Sequence, residues 1–337
     1  MAAQLTDDIE RAARRLYEGG LVAFPTETVY GLGADASNPT AVSQVYEAKH
    51  RPSGHPLIVH VAPGAALEDW AGAVPEAAHL LIEAFWPGPL TLILPRAERV
   101  SLAVTGGQAS VGLRCPAHPA AQALLTRFAQ LKQEPAGVVA PSANLFGQVS
   151  PTTAAHVLSE FSTSSHDILV LDGEPSEVGI ESTIVDVSRL DQGMGPVLLR
   201  PGHVTQAQLE TVLGVPVHAP DFAAPRVSGS LKAHYAPRTP LRVLPRSELL
   251  KILQAWPSQA GRVAVWCFDP KGMPASGAID LAPAPTHPQA YARQLYAQLR
   301  ALDETGNYAC LLLEQPPAGA EWAGVADRLG RAAAAFE

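Results

Sequence analysis

Along the first two thirds of the chain, short apolar blocks alternate with stretches in which apolar residues return every third or fourth position. The short blocks predict strands: Leu21 to Phe24, Leu57 to Val61, Leu90 to Leu94, Ser110 to Leu113, Gly137 to Ala140, Ile168 to Leu171, Thr183 to Val187 and Val197 to Leu199. The periodic stretches predict helices with recognisable starts, such as Asn38-Pro39 ahead of Val42, Val45 and Tyr46, and Thr152-Thr153 ahead of Val157 and Leu158. Near the N-terminus, Thr6 is expected to cap an amphipathic helix bearing Ile9, Ala12, Ala13, Leu16 and Tyr17 on one face, a pattern unlike a signal peptide. Strands alternating with helices imply an α/β sheet, expected to occupy residues 1–214.

The periodicity then stops. Residues 215–240 contain Pro216, Pro220, Pro225, Pro237 and Pro240 and read as an extended connector, yet they carry Ser228-Gly229-Ser230 and His234-Tyr235-Ala236-Pro237, which an inert spacer does not need. Beyond them, strand-like Leu241 to Leu244, Arg262 to Phe268, Ala278 to Leu281 and Tyr308 to Leu313 alternate with helices around Ser247 to Ala255, Pro288 to Leu302 and Glu321 to Phe336. Residues 241–337 are therefore expected to form a second, smaller α/β domain.

Composition narrows the class. The 337 residues are 47% hydrophobic and 17% charged, enough apolar content for two cores and too little charge for a disordered or coiled chain. A net charge of −8 opposes bulk binding to a nucleic-acid backbone, so any RNA contact is expected to be local and weak. Cys115, Cys267 and Cys310 are widely spaced and form no C-x-x-C pair, which argues against a disulfide framework or zinc site and fits a reducing cytoplasm. No apolar stretch reaches the roughly 18 residues of a membrane span.

Candidate chemistry gathers at strand ends, where open α/β sheets bind ligands. Pro25-Thr26-Glu27-Thr28-Val29-Tyr30-Gly31-Leu32-Gly33 follows the first apolar block, and Lys49-His50-Arg51-Pro52, Pro141-Ser142-Ala143-Asn144, Glu181-Ser182-Thr183 and Leu199-Arg200-Pro201-Gly202 stand at comparable places. Hydroxyls, amides and isolated cations of this kind donate to phosphate or carboxylate oxygens, so a nucleotide with a small polar partner is the expected ligand. Each feature also has a plainer reading. Gly31-Leu32-Gly33 suits a turn, Lys49 and Arg51 suit the cationic end of a helix, and His55 and His60 suit ordinary hydrogen-bonded histidines. Ser142, Ser150 and Ser182 suit turns and caps, Trp86-Pro87-Gly88-Pro89 suits a rigid turn, and Arg114 and Arg200 are either solvated or a converging pair of anion clamps. There is no G-x-x-x-x-G-K-[ST] loop, G-x-S-x-G elbow, H-E-x-x-H motif or dense acidic cluster, so hydrolase and metal-site readings lack support.

In order, P-T-E-T-V-Y-G-L-G, K-H-R-P-S-G-H-P-L-I-V-H, F-W-P-G-P-L-T, V-G-L-R-C-P, A-P-S-A-N-L-F-G, G-I-E-S-T-I-V-D and L-R-P-G resemble the YrdC/Sua5 family of L-threonylcarbamoyladenylate synthases over residues 7 to 213. The H-Y-A-P linker and the C-terminal unit are similar to the two-domain Sua5 type. The resemblance implies a twisted open mixed sheet of YrdC-like type, a Rossmann-like C-terminal domain, and a linker that acts as a lid. It implies a nucleotidyltransferase that joins L-threonine, bicarbonate or CO2, and ATP into threonylcarbamoyl-AMP and pyrophosphate. That is the first step toward the t6A modification of tRNA, with Mg2+ carried on the phosphates and the tRNA threonylcarbamoyltransferase machinery as a partner. By the same resemblance, Thr28, His60, Arg114, Ala140 through its backbone and Ser182 hold threonine. Arg51, His55, Ser110, Ser142, Asn144, Ser150 and Arg200 surround ATP, Lys49 and Arg51 ease the anionic reaction, and His234 and Tyr235 close over the nucleotide. His55 stands where Lys or Asn is frequent in the family, and Val227-Ser228-Gly229 where many members have Ser-Pro-Gly. Two other functions are open to such a chain: carbamoyl transfer of the hydrogenase-maturation kind, which brings Cys-rich motifs absent here, and shape-based RNA binding, which the negative charge disfavours.

Overall fold

The computed structural model describes residues 3–132, 135–274 and 276–337. The chain divides into two compact units, one comprising residues up to Phe146 with Ser150–Ser230, the other Gly147–Val149 with Leu231–Glu337.

In the first unit, strands β1 (Gln4–Thr6), β2 (Leu21–Phe24), β3 (Gly31–Asp35), β4 (Ile58–His60), β5 (Leu90–Pro95), β6 (Ser110–Arg114), β7 (Val138–Val139), β8 (Ile168–Leu171), β9 (Thr183–Asp186) and β10 (Val197–Arg200) form one sheet. Their order is β1-β8-β2-β3-β7-β4-β6-β5-β9-β10. The pairs β1/β8, β8/β2, β4/β6 and β5/β9 are parallel and the rest antiparallel, giving the mixed sheet that the family resemblance implied. Helices α1 (Ile9–Tyr17), α2 (Pro39–Ala48), α3 (Glu76–Phe85), α4 (Leu102–Thr105), α5 (Pro119–Lys132), α6 (Ala154–Glu160) and α7 (Gln206–Leu213) complete it.

The period-two pattern of β2 shows why the sheet is covered on both faces. Leu21 and Ala23 enter a core with Val42 and Val45 of α2, Leu81 of α3 and Val157 of α6. Val22 and Phe24 enter another with Ala12, Ala13 and Leu16 of α1 and Leu124, Leu125 and Phe128 of α5. Asn38 caps α2, its side-chain oxygen accepting from the amides of Thr40 and Ala41 at 3.0 and 3.2 Å, with Pro39 in the first turn.

Two local expectations are corrected. Asp8, not Thr6, caps α1: its carboxylate accepts from the amide of Arg11 at 3.0 Å, within reach of the helix's third residue, whereas Thr6 lies in β1 opposite Leu171. Gly31-Leu32-Gly33 is no turn but the start of β3, antiparallel to β2 and fully buried. A Cβ on Gly33 would fall 2.8 Å from Phe24 Cε1, 2.9 Å from Val138 Cγ1 and 3.0 Å from Val22 O, so glycine is required there for space.

The second unit is a four-stranded parallel sheet of β11 (Leu241–Leu244), β12 (Arg262–Cys267), β13 (Ile279–Pro283) and β14 (Tyr308–Glu314) in the order β11-β14-β12-β13. It is accompanied by α8 (Arg246–Gln254), α9 (Pro288–Glu304) and α10 (Ala323–Ala333). Alternation again assigns faces: Val263, Val265 and Cys267 pack with Leu249 and Leu253 of α8, while Trp266 stacks at 4.3 Å on Tyr291 of α9.

Candidate active site

The loop between β2 and β3 is closed by Thr26, whose hydroxyl donates to the carbonyl of Val29 at 2.6 Å and accepts from the amides of Thr28 and Val29. That turn presents Thr28 Oγ1, itself 2.8 Å from Thr26 Oγ1, to the end of β6. There the guanidinium of Arg114 donates to Thr28 Oγ1 at 2.8 Å, to Glu27 Oε1 at 2.6 Å and to the carbonyl of Gly88 at 3.2 Å. Arg114 and Glu27 are both almost wholly buried, and each neutralises the other where water cannot.

His60 lies opposite Arg114 in the parallel β4–β6 register. Burial, and secondarily the Arg114 charge, push its pKa down to about 3, so the imidazole is neutral, with Nδ1 3.3 Å from the carbonyl of Ile58. The amide of Ala140 donates to the same Ile58 carbonyl at 3.1 Å.

A second cluster is cationic. Lys49, the C-cap of α2, is 1% exposed and donates to the carbonyls of Ser142 (2.6 Å) and Asn144, so it braces the Pro141–Asn144 segment. Burial, then the Arg51 charge, hold its pKa well below the usual lysine range. The braced segment runs beside β3 through a Gly31–Ser142 bridge, which brings Ser142 next to the Thr28 turn. Arg51 lies 5.5 Å from the Phe146 ring and donates to the Pro56 carbonyl at 3.1 Å and to Ser228 Oγ at 3.0 Å. From the end of β10, Arg200 donates to the Ser228 carbonyl at 2.9 Å, to the Ser182 carbonyl at 2.9 and 3.0 Å, and to Ser182 Oγ at 3.1 Å. One connector residue, Ser228, is thus held by both arginines.

His55 packs edge-on against Phe146 at 5.2 Å, and burial followed by the charges of Arg51 and Arg226 lowers its pKa. Ser110 opens β6, roughly 13 Å along the strand from Arg114 at about 3.3 Å per residue. It lines a cavity with Ile58, Ile93, Ile184, Val227 and Ser228. Ser150 is fully buried and donates to Glu181 Oε1 at 2.6 Å. His234 and Tyr235 belong to the second unit, where their rings meet at 4.2 Å, Tyr235 lies 5.8 Å from Tyr296, and Arg328 lies 5.5 Å from the Tyr235 ring.

The geometry brings forward two residues to which sequence reasoning gave no role, Glu27 and Thr91, and gives partners to Ser228, which the sequence marked only as contact-capable. Glu27 is the buried counter-charge of Arg114, Thr91 makes a 2.7 Å hydroxyl pair with Ser182, and Ser228 links Arg51 to Arg200. Glu27 and Thr91 stand inside the quoted motifs, but their partners Arg114 and Ser182 are 87 and 91 positions away, a pairing that no local pattern announces. Among the described residues, no group of three or more His, Cys, Asp or Glu is placed to hold a metal ion, and no helix is long and apolar enough to cross a membrane.

Comparison with known proteins accounts for nearly the whole chain. Residues 14–202 match the Sua5–YciO–YrdC family model, described as "Telomere recombination", and residues 204–334 match a model described as "Threonylcarbamoyl-AMP synthase, C-terminal domain". The chain is 40% identical to a threonylcarbamoyl-AMP synthase of Bacillus subtilis over 310 residues, covering 88% of this chain and 84% of that one. It is 37% identical to the enzyme of that name from Pyrococcus abyssi over 309 residues, covering 88% and 86%. The crystal structure of P. abyssi Sua5 complexed with L-threonine matches with a TM-score of 0.85 at 33% identity, over 100% of this chain and 98% of the other.

Proposed function

Given that the chain belongs to the Sua5/YrdC family of threonylcarbamoyl-AMP synthases, we propose that it catalyses that synthesis: L-threonine, bicarbonate and ATP yield threonylcarbamoyl-AMP, pyrophosphate and water. The observation that carries the reading is the run Arg51–Ser228–Arg200–Ser182, in which residues from four separate parts of the sequence converge through contacts of 2.9 to 3.1 Å.

The chemistry follows from charge. Bicarbonate takes up a proton and loses water to give CO2, to which threonine's neutral amine adds, giving a carbamate and releasing a proton that balances the one taken up. A carbamate oxygen then attacks the α-phosphorus of ATP in line, the bond to the bridging oxygen breaks, and pyrophosphate leaves with that electron pair. Carbamate and triphosphate are both anions, so their repulsion is a main obstacle, and fixed cations lower it more effectively than mobile solvent. Arg51 and Arg200 supply those cations, while Lys49 holds Ser142 and Asn144 in place. Thr28, Arg114, neutral His60, the Ala140 backbone and Ser182 form the threonine end. His55, Ser110 and Ser150 stand toward ATP. The donor set is cationic and hydroxylic rather than carboxylate-rich, which fits a Mg2+ ion carried on the phosphates. Three free cysteines suit a cytoplasmic setting, and the product, an acyl phosphate anhydride, suits transfer to tRNA by a separate transferase.

The test is incubation with labelled threonine, bicarbonate and ATP. Pyrophosphate release and the mixed anhydride are expected only when all three are present. Arg51→Ala and Ser182→Ala are expected to abolish product with unchanged circular dichroism. Full turnover in both variants would refute the site.

A further inference from the structure

Thr91 lies in β5 with its side chain fully buried, and among the described residues its hydroxyl has a single hydrogen-bond partner, Ser182 Oγ at 2.7 Å. Ser182 Oγ has a second neighbour, Arg200 Nη2 at 3.1 Å, and a guanidinium only donates. Two proton arrangements fit the 2.7 Å pair. If Ser182 donates to Thr91, the Thr91 proton is left in a dry interior without an acceptor, a costly state for a hydroxyl. If Thr91 donates to Ser182, both protons are used, since the two lone pairs of Ser182 are filled by Thr91 and Arg200 and its own O–H is driven into the remaining tetrahedral direction.

We infer that Thr91 is a positioning residue that locks Ser182 as a hydrogen-bond donor toward the substrate. The inference rests on the proposed function, in which Ser182 belongs to the threonine end. A donor fixed next to Arg200 selects an anionic oxygen, the carboxylate of the amino acid or of its carbamate, and disfavours an amine or amide N–H at the same spot. Specificity for the acid form of the substrate thus originates partly one residue behind the site, in a side chain that never touches the ligand.

The experiment is calorimetric titration of L-threonine into the full-length protein and into Thr91→Val, Thr91→Ser, Ser182→Ala and the Thr91→Val/Ser182→Ala double variant. Thr91→Val keeps the shape and loses the donor, and it is expected to weaken binding about tenfold. Thr91→Ser restores the donor and is expected within twofold of the parent. In the Ser182→Ala background, Thr91→Val is expected to cost nothing further, because its effect passes through Ser182. Should Thr91→Val fail to fold, Thr91→Cys, a weak donor of similar volume, carries the same expectation. Wild-type affinity in the valine variant, or an undiminished loss in the double variant, overturns the inference alone. Absence of threonine binding by the parent protein overturns the functional reading and this inference with it.

Discussion

His60 illustrates how a single buried side chain sets conditions for the whole protein. Its pKa of about 3 against an ordinary 6.5 means that, between those values, the unfolded chain takes up a proton that the folded chain refuses. Stability contributed by the neutral ring is therefore complete above pH 6.5 and is lost as pH falls toward 3, with a slope of at most about 1.4 kcal/mol per pH unit. Denaturant midpoints at pH 7.5 and 5.0 should differ more for the parent protein than for His60→Gln; equal differences would contradict this origin. Residue type made Arg114, Arg200, Thr28 and Ser182 readable as candidates, because cations and hydroxyls near strand ends can donate to anions, while their plainer readings as solvated or turn residues stayed open. Glu27 was not: a carboxylate is the wrong sign for a polyanion site, and its purpose appears only when Arg114 is seen 2.6 Å away.

Elements were readable where their patterns were strong. The blocks at Leu21–Phe24, Ile168–Leu171 and Leu241–Leu244 coincide with β2, β8 and β11 residue for residue, because branched and large apolar side chains favour a pleated, buried strand. β3 escaped since Gly31, Gly33 and Asp35 have poor strand propensity, and only the crowding by Phe24 and Val138 reveals why small residues are needed. β1, with Gln4 and Leu5 exposed, is too short to leave a periodic trace. Gly33→Val accordingly should destabilise the protein by about 2 to 3 kcal/mol or prevent folding, as overpacking against backbone and aromatic ring has no cheap relaxation. Thermal unfolding measures it, and a midpoint within a degree of the parent would show that β3 has room to spare.

At the scale of the molecule, the chain passes between its two units more than once. Gly147–Val149 counts with the second unit, where Gln148 bridges Ala236, the Ala236 amide donates to the Gly147 carbonyl at 2.9 Å, and Arg300 donates to the Val149 carbonyl. Asn144 and Ser150, which the family resemblance implies are near ATP, flank this short stretch in sequence. Arg300→Ala should therefore raise the KM for ATP severalfold while leaving that for threonine within twofold, a split that steady-state kinetics would detect; equal changes in both would point to general destabilisation. No periodicity announces such a tie, since it is made by a long side chain reaching a main-chain carbonyl 151 positions away. Ser228 has a comparable consequence. Its hydroxyl accepts from Arg51 and its carbonyl from Arg200, and neither group sets a negative charge beside the guanidinium it holds. In the proposed function, Ser228 therefore fastens the two arginines without itself offsetting the charge that would draw a triphosphate toward them.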